Sequence, residues 1–379
     1  MKKNTLKWGI LGTARIAQNK IIPAIKSSRR NELYAVASRS LTKAEEFARL
    51  NVIPKVYGSY EELLRDETVQ AVYIPLPNSL HKSWTIAAIN AGKHVLCEKP
   101  IGLNQAEARE MAALAEEKGV ILMEGFAYRY HPRYEKLFEM VSKGAIGSPR
   151  YIHSTFTFNI TNPNDIRLVP ELGGGALMDV GCYCIDISRQ LTEREPVSVQ
   201  AQFYEGNTGV DLQVAATLDF GDNIYAQFEA AFNTTKQQSI KIAGNEGSLI
   251  IQNPFLSGGK RTRAVLSSEE EEKTMHFWGK NEYKHMFDHF QRLVAGKAEP
   301  RYPLSHSIAD MRIIDAIKQS MQDGGRLIRL EDVPEVVIEK VVEMAEVAEE
   351  VKAQIVEPSP ELTEPVFKPG DDLGKQESN

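Results

Sequence analysis

Cysteine is scarce in this sequence, with only Cys97, Cys182 and Cys184 among 379 residues. We interpret all three as free thiols, which are typical of a cytoplasmic protein, whereas a small secreted protein would use many disulfides. Histidine and cysteine also form no cluster with the spacing of metal ligands, so we expect no metal site.

Long hydrophobic runs are absent as well. No stretch of 18 consecutive apolar residues occurs, so we expect no membrane span. The basic N-terminus, residues 1–7, is not followed by the apolar segment of a secretory signal, which again favours the cytoplasm.

An excess of basic residues is missing too, since the formal net charge is -6. Residues 331–379 carry 14 acidic and 4 basic residues, so residues 1–330 have a net charge of only +4. No stripe of lysine and arginine with interleaved aromatic residues is present, and we therefore expect no nucleic-acid partner.

Near its N-terminus, the chain contains an apolar segment followed by a glycine turn. Residues 7–11 lead into the turn residues Gly12, Thr13, Ala14, Arg15 and Ile16. A strand, a glycine turn and a helix start together form the context of a dinucleotide fingerprint. Only the first of its three glycines is kept, so a tight turn without a ligand is the alternative interpretation.

The next predicted strand, residues 33–37, ends in Ser38 and Arg39. An enzyme specific for NAD favours an acidic residue here, whereas arginine suits the 2′-phosphate of NADP. With Lys43 one helical turn further on, we expect NADP and consider NAD less favoured. Alternatively, Arg39 only begins a solvated helix.

Strands and helices continue to alternate up to about residue 125, which predicts a parallel, doubly wound sheet. Capping boxes at Ser59 and Asn104 mark two of the helices. The fifth strand, residues 94–97, ends in Glu98 and Lys99. A lysine at the carboxyl end of such a strand is either a solvated charge or a group that faces a ligand.

From residue 126 the pattern changes to strands with strict alternation, at residues 152–158, 197–203, 214–220 and 224–230. Such strands form an antiparallel sheet with one buried face. We predict a dinucleotide domain at 1–125, an α+β domain at 126–330, and an acidic extension at 331–379 that is helical at first and disordered from residue 357. We expect the free sheet face to be too apolar to stay exposed, which predicts a homodimer or homotetramer.

Within the second domain, three glycines lead into an apolar helix that contains Asp179 and Tyr183. The two residues are four apart and therefore share a helix face. A carboxylate and a phenol on an apolar helix point to a site, although a tyrosine whose ring belongs to the core is the alternative. Two further groups, Arg129 and the segment 164–167 with Arg167, are candidates to contact a substrate or to be structural.

Taken together, these motifs resemble the Gfo/Idh/MocA oxidoreductase family, over about residues 8–330. The resemblance rests on the Gly12 turn, Pro77 and Asn78 with His81, the Glu98-Lys99-Pro100 signature, and residues 124–126 and 175–183. It implies a Rossmann domain followed by a domain built on a large, open, mostly antiparallel sheet. It also implies these cofactor-binding residues: Gly12, Thr13, Ala14, Arg15, Ile16, Ser38, Arg39, Lys43, Leu76, Pro77, Asn78, His81, Glu98 and Lys99.

The resemblance further implies catalytic roles for Lys99, Asp179 and Tyr183, with Asp179 near the hydroxyl groups of the substrate. Because it has tyrosine rather than histidine at position 183, the chain resembles one branch of the family in particular. That branch contains the NADP-dependent aldose and dihydrodiol dehydrogenases and glucose-fructose oxidoreductase. The implied activity is hydride transfer between a sugar, polyol or diol and NADP, with Lys99 favouring the Tyr183 phenolate. The alternative is a dinucleotide-binding regulator of the same fold that does not turn over substrate.

Overall fold

A computed structural model describes residues 5–333, and a parallel sheet forms its first half. The strands are β1 (Leu6–Leu11), β2 (Asn31–Ala37), β3 (Lys55–Tyr57), β4 (Ala71–Ile74), β5 (His94–Cys97) and β6 (Leu122–Glu124). They lie in the order β3-β2-β1-β4-β5-β6, and every pair is parallel. The strand order reverses between β1 and β4, where an open α/β sheet forms its ligand crevice.

Helices connect and cover these strands: α1 (Ile22–Ser27), α2 (Leu41–Asn51), α3 (Tyr60–Arg65), α4 (His81–Asn90) and α5 (Gln105–Glu117). A further helix, α6 (Arg133–Ser142), follows β6. The predicted caps are confirmed, because the side chains of Ser59 and Asn104 accept hydrogen bonds from the third residue of α3 and of α5. Ser40 caps α2 in the same way. Each cap satisfies a backbone N–H group that the helix leaves without a partner.

A nine-stranded sheet forms the second half: β7 (Pro149–Asn159), β8 (Ser198–Glu205), β9 (Asp211–Asp219), β10 (Tyr225–Ala231), β11 (Asn233–Gly244), β12 (Gly247–Gln252), β13 (Thr262–Ser268), β14 (Glu272–Phe277) and β15 (Ile328–Arg329). The order is β14-β13-β12-β11-β7-β10-β9-β8-β15. Only β7 and β10 pair in parallel. The predicted fold class, a Rossmann domain followed by a mostly antiparallel sheet, is confirmed.

Three further α-helices lie among the described residues, together with several short helical turns: α7 (Cys182–Thr192), α8 (Glu282–Val294) and α9 (Leu304–Gln322). As expected, α9 packs back on the first half of the chain. Asp315 accepts a hydrogen bond from the backbone of Gln105 at 2.8 Å, and Lys318 donates to the carbonyl of Leu103 at 2.9 Å. The helix and the disorder predicted beyond residue 333 lie outside the described residues, and the domain boundaries stay a prediction.

The outward face of the large sheet differs from the expectation of an apolar surface. Polar side chains pair with one another across its central strands: Tyr151 donates to Gln227, and Glu229 accepts from Thr155 and contacts His153 at 2.9 Å. Alternation along a strand shows which face is buried, but not how apolar the other face is. The expectation that this face of the sheet is apolar was therefore wrong. A homodimer or homotetramer stays a prediction, but the polarity of this face does not support it.

Two other findings concern the cysteines and the membrane span, on which the sequence composition gave expectations. All three cysteines are free and buried. Within residues 5–333, no helix combines the length and apolarity that a membrane crossing requires.

Candidate active site

The glycine turn lies at the carboxyl end of β1, beside the reversal of strand order. Gly12 has φ +102°, a conformation that L side chains rarely adopt, and its N–H donates to the carbonyl of Ala37 at 2.8 Å. The chain enters a helix at Arg15, so the N–H groups of the first turn have no partner within the helix. A turn of this kind can hold a diphosphate.

The end of β2 carries a second feature that suits a dinucleotide. Ser38 is buried, and its Oγ accepts a hydrogen bond from the N–H of Ser40 at 3.3 Å. Arg39 is exposed, and within residues 5–333 its guanidinium forms no hydrogen bond or ion pair. Lys43, also exposed, lies in the first turn of α2. An arginine with all its donors open to solvent beside the crevice fits a phosphate group.

On the other side of the crevice, the loop after β4 contacts the second half of the chain. Leu76 approaches the glycine turn, since a Cβ at Gly12 would lie 3.1 Å from its Cδ2. Pro77 precedes the short helix that contains Asn78, and Asn78 Nδ2 donates to the carbonyl of Gly173 at 2.8 Å. This loop therefore lines the crevice and also holds the glycine-rich segment of the substrate side.

His81 does not fit the cofactor role that the resemblance implied. Its ring is fully buried, and its two nitrogens lie 2.8 Å and 2.9 Å from the carbonyl oxygens of Pro100 and Leu76. Burial lowers the pKa of His81 to about 4, so the neutral ring donates to one of the two carbonyls. His81 thus joins the loops after β4 and β5 and has no nitrogen left for a ligand.

Lys99 and Asp179 form an ion pair at the carboxyl end of β5. Lys99 Nζ donates to Asp179 Oδ1 at 2.8 Å and to the Asp179 carbonyl oxygen at 2.6 Å. Burial opposes the charge on Lys99, but the charge of Asp179 outweighs it and raises the pKa of the lysine. Lys99 is therefore held charged and fixed in direction.

A second cation, Arg167, binds the other oxygen of the same carboxylate. Its Nε donates to Asp179 Oδ2 at 2.7 Å, and its Nη1 donates to Asp165 at 3.2 Å. Burial would raise the pKa of Asp179, but Arg167 and Lys99 together hold it well below the ordinary value of 3.8. The carboxylate therefore stays ionised throughout the neutral range.

Tyr183 lies next to this ion pair, with Lys99 Nζ 4.9 Å from the centre of its ring. The ring packs among Phe126, Phe156 and Phe255 at centroid distances of 5.3–5.4 Å. Its hydroxyl makes no hydrogen bond within residues 5–333. A phenol whose hydroxyl lacks a protein partner beside a fixed ammonium is well placed to meet an oxygen atom of a substrate.

The ionisation of Tyr183 differs from the expectation of a stabilised phenolate. Burial raises its pKa well above 10.0, and the charge of Glu98 adds to this effect. Arg167 opposes the rise but does not cancel it. Tyr183 is therefore a neutral phenol in the ligand-free protein.

Arg129 is structural, which corrects its assignment to the substrate side. Its side chain is 3 % exposed, and the guanidinium is bound by the buried carboxylates of Asp186 and Asp310. Arg189 binds Asp310 from the other side at 2.7 Å. This network joins the segment after β6 to α7 and α9, so Arg129 holds these three elements together.

Comparison with known proteins agrees with this geometry. The family model described as "Oxidoreductase family, NAD-binding Rossmann fold" matches residues 6–126, and that of the GFO/IDH/MocA C-terminal domain matches residues 134–250. The chain belongs to the Gfo/Idh/MocA family. The resemblance inferred from the motifs is thereby confirmed, and so is the class of enzyme, an oxidoreductase.

Relatives in this family include a D-xylose 1-dehydrogenase (NADP(+)) of Haloferax volcanii, which is 36% identical over 323 residues, 84% of this chain and 98% of the relative. The mouse trans-1,2-dihydrobenzene-1,2-diol dehydrogenase is 35% identical over 270 residues, 70% of this chain and 79% of the relative. Among solved structures, a 3-ketoreductase from Actinomadura kijaniata in complex with NADP is similar, with TM-score 0.79 and 27% identity over 84% of this chain and 98% of that chain.

Two tyrosines that the sequence did not single out also belong to this Gfo/Idh/MocA site. Tyr73, on β4, donates to Glu98 Oε1 at 2.6 Å, and the other oxygen of that carboxyl group accepts the backbone N–H of Lys99 at 3.4 Å. Tyr283, on α8, is buried; burial raises its pKa well above 10.0, and the nearby Tyr183 and Glu98 add to the rise. Neither residue stands in a motif, and only the packing of β4 and α8 brings them here.

Proposed function

We propose that this protein is an NADP-dependent oxidoreductase that transfers hydride between a hydroxyl-bearing carbon of a sugar, polyol or diol and the nicotinamide. The observation that carries the proposal is the cluster at the end of β5. There Lys99 Nζ lies 2.8 Å from Asp179 and 4.9 Å from the Tyr183 ring. Moving a proton at an alcohol oxygen requires groups of the kind found here, namely an ammonium, an ionised carboxylate and a phenol with an unused hydroxyl.

The cofactor would bind in the crevice between β1 and β4. NADP, when bound, accepts or supplies the hydride. The residues that would hold it are the Gly12 turn for the diphosphate, and Ser38 and Arg39 for the ribose and its 2′-phosphate. The NADP in the name of the xylose dehydrogenase and in the ketoreductase structure supports this choice over NAD.

Tyr183 would supply and accept the proton at the substrate oxygen. As a neutral phenol it donates in the direction of carbonyl reduction. In the direction of oxidation it must first lose its proton, so oxidation should be faster at alkaline pH. Lys99 would assist, because an ammonium has three N–H donors and Asp179 engages two of them. The third is left for the substrate oxygen.

Arg167 and Asp179 would bind further hydroxyl groups. Arg167 is 38 % exposed, and within residues 5–333 its Nη2 makes no hydrogen bond. Because the carboxylate of Asp179 stays ionised, it can accept a hydrogen bond from a substrate hydroxyl, while the free Nη2 of Arg167 donates one. Polyhydroxylated substrates fit such a pair of groups, which agrees with the sugars and diols in the names of the relatives.

The experiment is a screen of aldoses, polyols and trans-diols with NADP and with NAD, followed by the nicotinamide absorbance. We expect turnover with at least one aldose or diol, a preference for NADP, and a loss of turnover in Tyr183→Phe. Binding of NADP without turnover of any compound in either direction would favour the alternative, a dinucleotide-binding regulator. Binding of neither dinucleotide would exclude both.

A further inference from the structure

A chain of five alternating charges runs from the glycine turn to the catalytic cluster. Arg15 Nη2 lies 3.9 Å from Asp165 Oδ2, and Asp165 Oδ1 accepts from Arg167 Nη1 at 3.2 Å. Arg167 Nε then reaches Asp179 at 2.7 Å, and Asp179 reaches Lys99 at 2.8 Å. Asp165 is the member that joins the cofactor side to the substrate side.

Asp165 is built into this position. Its Oδ1 also accepts the backbone N–H of Arg167 at 3.1 Å and so caps a short helix, Ile166–Leu168. Its side chain is 11 % exposed, whereas that of Arg15 is 59 % exposed. The carboxylate is therefore fixed, while Arg15 can turn between Asp165 and any anion at the glycine turn.

We infer that Asp165 is a positioning residue that couples the cofactor-binding turn to the catalytic carboxylate, through Arg15 on one side and Arg167 on the other. This inference rests on the proposed function of the same site. Toward the substrate, Asp165 holds Arg167 so that its Nε faces Asp179. Toward the crevice, it competes with the cofactor diphosphate for Arg15. Asp165 touches no reacting atom, and its two effects have opposite signs.

The test variant is Asp165→Asn, which keeps the shape and the capping oxygen but removes the charge. We expect NADP to bind more tightly, because Arg15 is then free for the diphosphate. An exposed ion pair near 4 Å corresponds to an effect of about two- to fivefold. We expect kcat to fall about tenfold, because Asp179 is held less firmly, with a smaller change in substrate KM.

The affinity for NADP is measured by titration of intrinsic fluorescence, without substrate. In an Arg15→Gln background, Asp165→Asn should leave the NADP affinity unchanged and still lower kcat. Glu171→Gln is the matched control, since Glu171 is an exposed acid on the same segment and should change neither quantity. Asp165→Glu should restore most of kcat because the charge returns.

Weaker or unchanged NADP binding in Asp165→Asn, with Arg15 intact, would overturn the inference. So would a proportional loss of affinity and kcat, which is the pattern of general structural damage. If Asp165→Asn does not fold, Asp165→Ser, which also keeps a capping oxygen and removes the charge, takes its place with the same expected and contradicting results. Absence of turnover in the wild type would count against the proposed function, whereas the NADP titration would still decide this inference.

Discussion

Replacing Tyr183 by phenylalanine separates the packing of the ring from the chemistry of the hydroxyl. The ring contacts with Phe126, Phe156 and Phe255 at 5.3–5.4 Å remain possible in the variant. Within residues 5–333 the hydroxyl makes no hydrogen bond, so its removal leaves no buried partner unsatisfied. We therefore expect the free energy of unfolding to change by less than about 1 kcal/mol.

Activity should respond very differently. A positioned acid–base group contributes about 10²–10⁴-fold to the rate, and kcat should fall by that factor, while the affinity for NADP stays the same. Since burial raises the pKa of Tyr183 well above 10.0, the wild-type rate of oxidation should still be rising at pH 9–10. In the variant, the residual rate should lose this slope.

The assay is steady-state oxidation from pH 6 to pH 10, with the reverse reduction measured on the corresponding carbonyl compound. Wild-type oxidation that levels off near neutral pH would contradict the neutral phenol inferred here. A variant with near-normal kcat and the same pH profile would show that Tyr183 is only a core residue. Asp179 would then be the next group to test, since His81 has no nitrogen left for a ligand.

Four further outcomes are expected. Lys99→Met should lower kcat as much as Tyr183→Phe, and the double variant should lose little more, because residues that act as a unit are not additive; steady-state kinetics of all three measures this. Arg39→Asp should weaken NADP binding roughly tenfold to hundredfold, since a hydrogen bond to a charged group is worth about 1.5–3 kcal/mol, with NAD binding unaffected or improved; fluorescence titration with both dinucleotides measures the shift, and equal NADP affinity would refute the assignment. Arg129→Met should lower the free energy of unfolding by about 3–5 kcal/mol, measured by urea denaturation, because two buried carboxylates lose a partner. An increase in the KM for sugar at unchanged stability would instead show that Arg129 contacts the substrate. The pKa of Asp179 lies below its ordinary 3.8, so its contribution to stability is complete above about pH 5 and is lost as the pH falls through the lowered value; the difference in urea midpoint between wild type and Asp179→Asn should therefore shrink below pH 4.

The Rossmann half could be predicted closely because its signals are local. Most of the parallel strands are short apolar runs, and the capping residues of the helices stand three positions from the N–H groups they bind. Strand β3, which has no buried residue, was not predicted. The hairpin at residues 219–223 was also predictable: β9 and β10 pair across it, and Gly221, Asp222 and Asn223 all have positive φ.

Strands β11–β14 were not predicted, and for β14 and the first half of β11 the reason is physical. The first five residues of β11, from Asn233 to Gln237, are all exposed, so no buried face imposes alternation on the sequence there. Strand β14 has a single buried residue, Met275. Such strands are specified by pairing with their neighbours, and that pairing involves partners far away in the sequence.

Arginines 129 and 167 show why residue type and motif alone could not complete the site. Each binds two carboxylates, and both were equally plausible substrate ligands from the sequence. Arg129 is 3 % exposed and its acids are also buried, with Arg189 on the far side. Arg167 is 38 % exposed, and one of its acids, Asp179, also binds Lys99.

Burying a charge demands complete pairing, so a closed network such as that of Arg129 has nothing left for a ligand. A network that shares its carboxylate with a second cation, and remains partly open to solvent, still has a donor to offer. The partners that make this difference lie 57 and 181 residues from Arg129, and only the folded chain brings them together.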